Sequence, residues 1–361
     1  MPCTARYRPH AAARRKACGG AGRGGTNWRI GMAAAPHGRD AIINWIADKT
    51  EYYASDYMDG MVLAHPERWV KFRGETNCAV LMKKTRRADT FGIVISGGAA
   101  NGPLFPGYVW DGLADAAVVG GPYGAPNAYA IYETARHLGQ THGVLLLYNN
   151  FAGDFLNNDM AQELLTMDGI AVESVIATDD IASAVGEARC ARSGCAGIAL
   201  LIKLAGACAD SGMTLTDTAA LLRAANERLG TLSVHVSPDT KEVTFGKGFS
   251  GEPELFAQTG ITLRMAVERA MALLLDELKP AAEEKLFLLV NRMRCTSYSD
   301  SYKAARIAHE VLSRTRQVLR TRVANYSNII DVYGFDFVVL CADERLQGLL
   351  AGDVNTECFM L

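Results

Sequence analysis

The chain has 361 residues, 49% of them hydrophobic and 21% charged, and its formal net charge is −2. That length suits two domains with full cores, and no stretch approaches the roughly 18 uncharged apolar residues of a membrane span. Residues 1–39 carry eight basic side chains and no acid, so the rest is acidic overall, which argues against nucleic acid as a partner.

The basic, Gly/Ala-rich leader 1–39 is expected to lie outside the fold. It fits an organelle-targeting segment. It also fits a sequence begun too early, because Met32-Ala33-Ala34-Ala35 resembles an ordinary start. The body then divides into an α/β domain over 40–227 and a second over 228–361. Ala41 to His65 has helical spacing and stops at Pro66. Phe91 to Ser96 is a buried strand opening into a glycine turn, and Ala116 to Val119 a second strand. Pro126 to Leu138 reads as a helix with proline near its first turn. Val144 to Tyr148 is a strand, Asp159 to Met167 a helix, and Val172 to Ala177 a strand with Asp179-Asp180 at a following helix start. Ala196 to Ala209 is a buried helix. Thr216 to Leu229 is another, closed by Gly230.

In the second part, Thr231 to Val236 and Glu242 to Phe245 read as short strands. Thr262 to Leu278 is an amphipathic helix, Leu286 to Val290 a strand, Asp300 to Arg314 a helix and Val318 to Val323 a strand. Asp336 to Cys341 and Glu344 to Leu350 close the chain as strand and helix. Strands alternating with helices predict an α/β fold of two domains, each a mixed sheet flanked by helices.

The nine cysteines form neither a CxxC pair nor a Cys/His metal spacing. Reduced thiols and a reducing, cytoplasmic compartment are expected. Cys358-Phe359-Met360-Leu361 spells a prenylation box, but lacks the polybasic run of a second anchoring signal; chance spelling is the simpler reading. No GxxxxGK[ST] occurs. GxGxxG is spelled at Gly20–Gly25, with no strand before it, and at Gly246–Gly251, where Glu252-Pro253 interrupts the helix a dinucleotide fingerprint needs.

Three stretches carry the chemistry. Gly97-Gly98-Ala99-Ala100-Asn101-Gly102-Pro103 runs on to Gly107-Tyr108-Val109. Asn149-Asn150-Phe151-Ala152-Gly153-Asp154 follows the third strand. Gly248-Phe249-Ser250-Gly251-Glu252-Pro253 lies in the second half. With Gly60 to Pro66, Asn157 to Ala161, Asp179-Asp180 and Arg192 to Gly206 including Lys203, their order and spacing resemble the substrate-binding (DhaK-type) subunit of dihydroxyacetone kinases, from about Asp59 to at least Asp343.

The resemblance implies a site at Gly97, Gly98, Asn101, Asn149, Asn150, Gly153, Asp154, Ser250 and Gly251, with Asp154 as the base that activates the attacked hydroxyl. It also marks departures. Ser250 stands where the family has the histidine that holds the substrate carbonyl covalently. A serine without a neighbouring base is a poor nucleophile. Asn101 replaces the acid/base histidine, and an amide cannot take up a proton near neutral pH. Asn149 replaces a lysine. Asp154 itself has helix capping as an alternative role. With no cation beside it, its ionisation in a buried site would be costly. His235 is a candidate substitute imidazole, although a lone histidine near a strand is usually structural. Arg292 and Arg294 replace glycines of a family turn, as a solvated basic spot or an anion site.

The resemblance further implies a homodimer, a small carbonyl or polyol ligand, and no cofactor on this chain. ATP and magnesium would sit on a separate DhaL-type partner. The alternative is an inactive paralogue that acts as a binding or regulatory protein.

Overall fold

The computed structural model describes residues 52–75, 78–87, 89–329 and 332–356. The leader 1–39, residues 41–51 of the first expected helix and the Cys358 box lie outside the described residues. The first sheet has six strands: β1 (Trp69–Glu75), β2 (Cys78–Lys83), β3 (Gly92–Gly98), β4 (Ala116–Gly120), β5 (Val144–Asn149) and β6 (Val172–Ala177), in the order β1-β2-β4-β3-β5-β6. β4, β3, β5 and β6 run parallel, whereas β1–β2 and β2–β4 are antiparallel.

The second sheet also has six strands: β7 (Leu229–Val236), β8 (Val243–Gly246), β9 (Glu254–Gln258), β10 (Lys285–Arg292), β11 (Val318–Ala324) and β12 (Gly334–Ala342), in the order β11-β10-β12-β7-β8-β9. Among the described residues, its β10–β11 pair is parallel and its other pairs are antiparallel. Both sheets are therefore mixed.

Each sheet is covered on two faces, and this explains its nearly continuous apolar strands. In β5, Leu145 and Leu147 face the layer between the sheets, while Val144, Leu146 and Tyr148 face the outer layer. There they meet the helices α2 (Ala128–Leu138) and α3 (Ala152–Met167). β12 alternates in the same way: Val338 and Leu340 point inward, Phe337 and Val339 outward toward α6 (Leu263–Leu278) and α7 (Tyr298–Ser313). The layer between the sheets is filled by α4 (Ile198–Asp210) and α5 (Leu215–Glu227). α4 is buried on nearly all sides, as an apolar run with little amphipathic contrast requires. A helix α1 (Tyr53–Ala64) precedes the first sheet, and α8 (Glu344–Leu349) follows the second.

Side-chain caps fix most helix starts: Asn127 for α2, Thr214 for α5, Thr262 for α6, Ser297 for α7 and Asp343 for α8. Four sequence expectations are corrected. Pro126 lies before the N-cap of α2, not in its first turn. α3 begins at Ala152, not Asp159; its outer residues Leu156 and Met160 are exposed, so apolar spacing does not mark its start. Gly230 does not close a helix but lies in β7. A side chain there would press on Ile181 and Leu274, both 3.2 Å away, so this glycine permits close helix–strand packing. Asp179-Asp180 begin no helix after β6. The Asp179 carboxylate instead accepts the N–H groups of Cys195 and Gly197, each at 2.8 Å, just before α4. β1, β2 and β9 were not anticipated from the sequence.

Candidate functional site

The parallel strands β3, β4 and β5 end on one edge, the usual place for a ligand crevice in an α/β sheet. Their following loops and the Ser250 loop enclose a cavity of about 280 Å³, at the lower end for ligand sites. Gly97, Gly98, Asn101, Asn149, Gly153, Asp154 and Ser250 all line it. Asn150 and Gly251 are not among its lining residues. Asn150 instead ties down a neighbouring turn, donating to the carbonyls of Cys190 at 3.0 Å and Arg192 at 2.7 Å. Residues that sequence reasoning missed complete the wall: Phe105, Tyr123, Phe151, Phe249, Asn328 and Ile329. Asn328 and Ile329 arrive from beyond β11, and no local pattern marks them.

Gly97 is needed for steric reasons. A Cβ there would lie 2.1 Å from the Phe105 ring, which is itself buried and held at φ 73°. The loop after β3 is laced to the loop after β4 by Ala99 N–H to Gly121 O and Ala100 N–H to Pro122 O, both 3.1 Å.

Asn101 has a structural occupation. Its Nδ2 donates to Asn328 O at 3.3 Å, and Asn328 N–H donates back to Asn101 O at 3.1 Å. Asn328 Nδ2 also donates to Gly102 O at 2.9 Å, and Tyr108 Oη to Tyr326 O at 2.9 Å. This clasp joins the two halves of the chain across the cleft. Its far side is anchored by Asn291, whose Oδ1 accepts from Tyr326 and Ser327 N–H and whose Nδ2 donates to Asp336 at 2.7 Å.

Asp154 is in the first turn of α3, where Phe151 is the N-cap without a side-chain hydrogen bond. Among the described residues the Asp154 side chain makes no capping hydrogen bond either. It is buried, its Oδ1 has no hydrogen-bond partner among the described residues, and burial pushes its carboxyl up to about 7. The cost of ionisation expected from the missing cation has the same sign. Asn149, also buried, packs its Oδ1 against Gly194, where a Cβ would come within 2.3 Å. Among the described residues, the lining of the cleft includes no histidine, lysine or arginine.

Ser250 is exposed at the cleft rim, and its N–H donates to Glu252 Oε2 at 2.9 Å. His235 lies on β7 opposite Gly334 and Thr244 and does not line the cleft. Arg292 is committed to its own turn: it donates to Thr296 O at 2.6 Å and stacks 4.5 Å over the Tyr298 ring. Arg294 is exposed. Neither arginine reaches the cleft.

Two mixed six-stranded sheets with a crevice at the ends of β3, β4 and β5 define a two-domain α/β fold. The Dak1 domain model matches residues 59–358, and the chain belongs to that family. It is 29% identical over 326 residues to the dihydroxyacetone-binding subunit DhaK of PTS-dependent dihydroxyacetone kinase 1 from Listeria innocua, covering 86% of this chain and 98% of that one. It is 28% identical to a D-erythrulose kinase of Mycolicibacterium smegmatis, over 78% of this chain and 51% of that enzyme. Among solved structures, the dihydroxyacetone kinase operon co-activator Dha-DhaQ superposes with a TM-score of 0.75 at 25% identity, covering 84% of this chain and 97% of that one.

Proposed function

We propose that the cleft holds a small ketose or polyol by hydrogen bonds alone, and that phosphorylation of this ligand requires a separate partner carrying ATP and magnesium. The observation that carries this reading is Asp154, a buried carboxyl with an unpartnered oxygen in a cleft whose described lining offers no cation and no imidazole. A carboxyl raised toward neutrality can donate to a ligand oxygen when protonated and accept from a ligand hydroxyl when ionised. With a phosphoryl donor in place, the same group is the base for the attacked hydroxyl. Relatives whose names specify dihydroxyacetone and erythrulose support a short ketose. We place the protein in the cytoplasm as a homodimer, with its domain boundary at residues 227 and 228.

A second reading, a regulatory protein without catalysis, is favoured by the Asn101–Asn328 clasp. It puts a structural amide where the family resemblance implies a proton-transfer group. Likeness to an operon co-activator along nearly its whole length supports the same reading.

Native mass spectrometry with dihydroxyacetone or glycerol tests the binding. A complex that dissociates on mild activation is expected, and a covalent adduct would refute the hydrogen-bond reading. Turnover separates the two readings. With a dihydroxyacetone kinase nucleotide subunit and ATP, rates on the order of 1–10 s⁻¹ would eliminate the regulatory one.

A further inference from the structure

Most buried acids of this chain meet donors of its own. Asp115 meets Lys83 Nζ and the Ile93 N–H, both at 2.9 Å. Asp179 accepts two N–H groups before α4 and the Thr231 hydroxyl. Asp180 accepts the Ala182 N–H at 2.9 Å. Glu284 accepts from the Arg228 guanidinium at 2.8 Å. Asp336 accepts from the Ser233 hydroxyl at 2.6 Å and the Asn291 amide at 2.7 Å. Asp154 is the exception. It is 7% exposed, and its Oδ1 has no hydrogen-bond partner among the described residues. Burial is the cause that raises its carboxyl, and no neighbouring cation or donor offsets it. A carboxylate taken out of water with no donor in exchange is destabilising. This one lines a cavity of about 280 Å³, so the side from which a donor can arrive is the cavity.

The rest of the lining narrows what that donor is. Asn149, 3% exposed at the end of β5, adds a second buried oxygen, Oδ1, without a partner among the described residues. The amide donors of Asn101 and Asn328 are spent in the clasp. Phe105, Tyr123, Phe151 and Phe249 bring aromatic rings, whose faces attract cations. The described lining holds no histidine, lysine or arginine. Positive character enters at the uncapped start of α3, where the N–H groups of Gly153 and Asp154 meet no acceptor among the described residues. Such groups suit an oxygen of the ligand. The cleft therefore needs an acceptor at the helix start and strong donors at the Asp154 and Asn149 oxygens.

We propose that the cleft takes a short polyol that carries a primary ammonium, with the ammonium on the Asp154 and Asn149 oxygens and a hydroxyl oxygen on the Gly153 and Asp154 N–H groups. A neutral hydroxyl supplies one donor, whereas an ammonium supplies three and a full charge. Its bonds to a carboxylate are charge-assisted, shorter and stronger than neutral ones. Its charge also favours the ionised form of Asp154 that burial disfavours. The ion pair is completed across the boundary between protein and ligand, and neither charge is left buried and unpaired. The inference rests on the cleft reading above and narrows its ligand to an amino alcohol; the need for a separate phosphoryl donor is unchanged.

Calorimetric titration of the full chain at about pH 7, where a primary amine keeps its proton, compares glycerol with serinol. The two differ only in the central group, a hydroxyl in glycerol and an ammonium in serinol. Serinol should bind tighter by about tenfold or more. D154N removes the carboxylate charge and keeps its shape; it should bring the two affinities within about twofold of each other. N149K places an ammonium in the same lining and should reverse the preference, because two like charges then share the site. D154N decides the matter where N149K does not fold. Equal affinities for glycerol and serinol in the unmodified protein would overturn the proposal and leave the cleft reading standing. A serinol preference that D154N leaves unchanged would also overturn it. Binding of serinol with none of glycerol or dihydroxyacetone would uphold the ammonium and sink the neutral-ligand reading. Binding of none of the three would sink both.

Discussion

The sharpest consequence of the site concerns Asp154. An ordinary aspartate has a value of 3.8, and burial raises this one to about 7. The charged form is thus disfavoured in the folded chain and unpenalised in the unfolded one. The stability associated with its neutral form is complete below 3.8. It is lost progressively as the pH rises, and the loss levels off above about 7. Each unit of difference is worth roughly 1.4 kcal/mol, so the full penalty approaches about 4 kcal/mol. D154N removes the ionisation and keeps the shape. Urea unfolding at a series of pH values should therefore show D154N more stable than the parent by up to about 4 kcal/mol at about pH 8. The difference should shrink toward zero near about pH 3, below the ordinary value of 3.8, where the parent aspartate is neutral in the folded state and largely so in the unfolded one. D154N should at the same time weaken ligand binding, because an amide cannot act as the acceptor a carboxylate provides on both oxygens. Equal stability of D154N and parent at about pH 8 would refute the argument, since it would mean that the carboxylate is as well solvated in the cleft as in the unfolded chain.

Replacing Asn328 by alanine removes its donation to Gly102 O and one side of the clasp; a loss of about 1–3 kcal/mol is expected in urea titrations, with a larger relative loss of ligand affinity in calorimetry. Gly97→Ala forces the buried Phe105 ring to move; it should cost about 1–3 kcal/mol and shrink or close the cleft, whereas Gly98→Ala, whose nearest neighbours lie 3.5 Å or more away, should be nearly silent in the same thermal melts. S250H places an imidazole at the rim. An intact-mass shift after incubation with dihydroxyacetone is expected for this variant and not for the parent, and the absence of a shift would show that the rim geometry, not the side chain, prevents the bond.

The fold class and most of the elements were legible in the order of the residues alone. Runs such as Val144 to Tyr148 and Asp336 to Cys341 are apolar on both faces because each sheet is covered twice, and this reads directly as buried strands. The sequence also marked the three loops that meet at the cleft, through the resemblance of the Gly97-Gly98, Gly153-Asp154 and Gly248 to Gly251 stretches, in order and spacing, to the DhaK-type subunit. It misplaced the beginning of α3, because Leu156 and Met160 face outward and leave no apolar signature. It also took Gly230 for a helix stop, because a glycine that permits close packing and one that ends a helix look alike in a string of residues.

What the substituted positions do depends on contacts that form only when distant parts of the chain pack together. Asn101 becomes a clasp because Asn328, more than two hundred residues away in the chain, is brought within hydrogen-bond reach. Asp179-Asp180 divide their work because the Asp179 carboxylate accepts the Cys195 and Gly197 N–H groups before α4, while Asp180 takes only the Ala182 N–H and leaves its Oδ2 without a hydrogen-bond partner among the described residues. Asp154 acquires its raised value from burial, which is a property of the packed loops and not of its neighbours in sequence. Periodicity records which face of an element is covered; it does not record which distant side chain arrives to cover it, and the chemistry of this cleft depends on the latter.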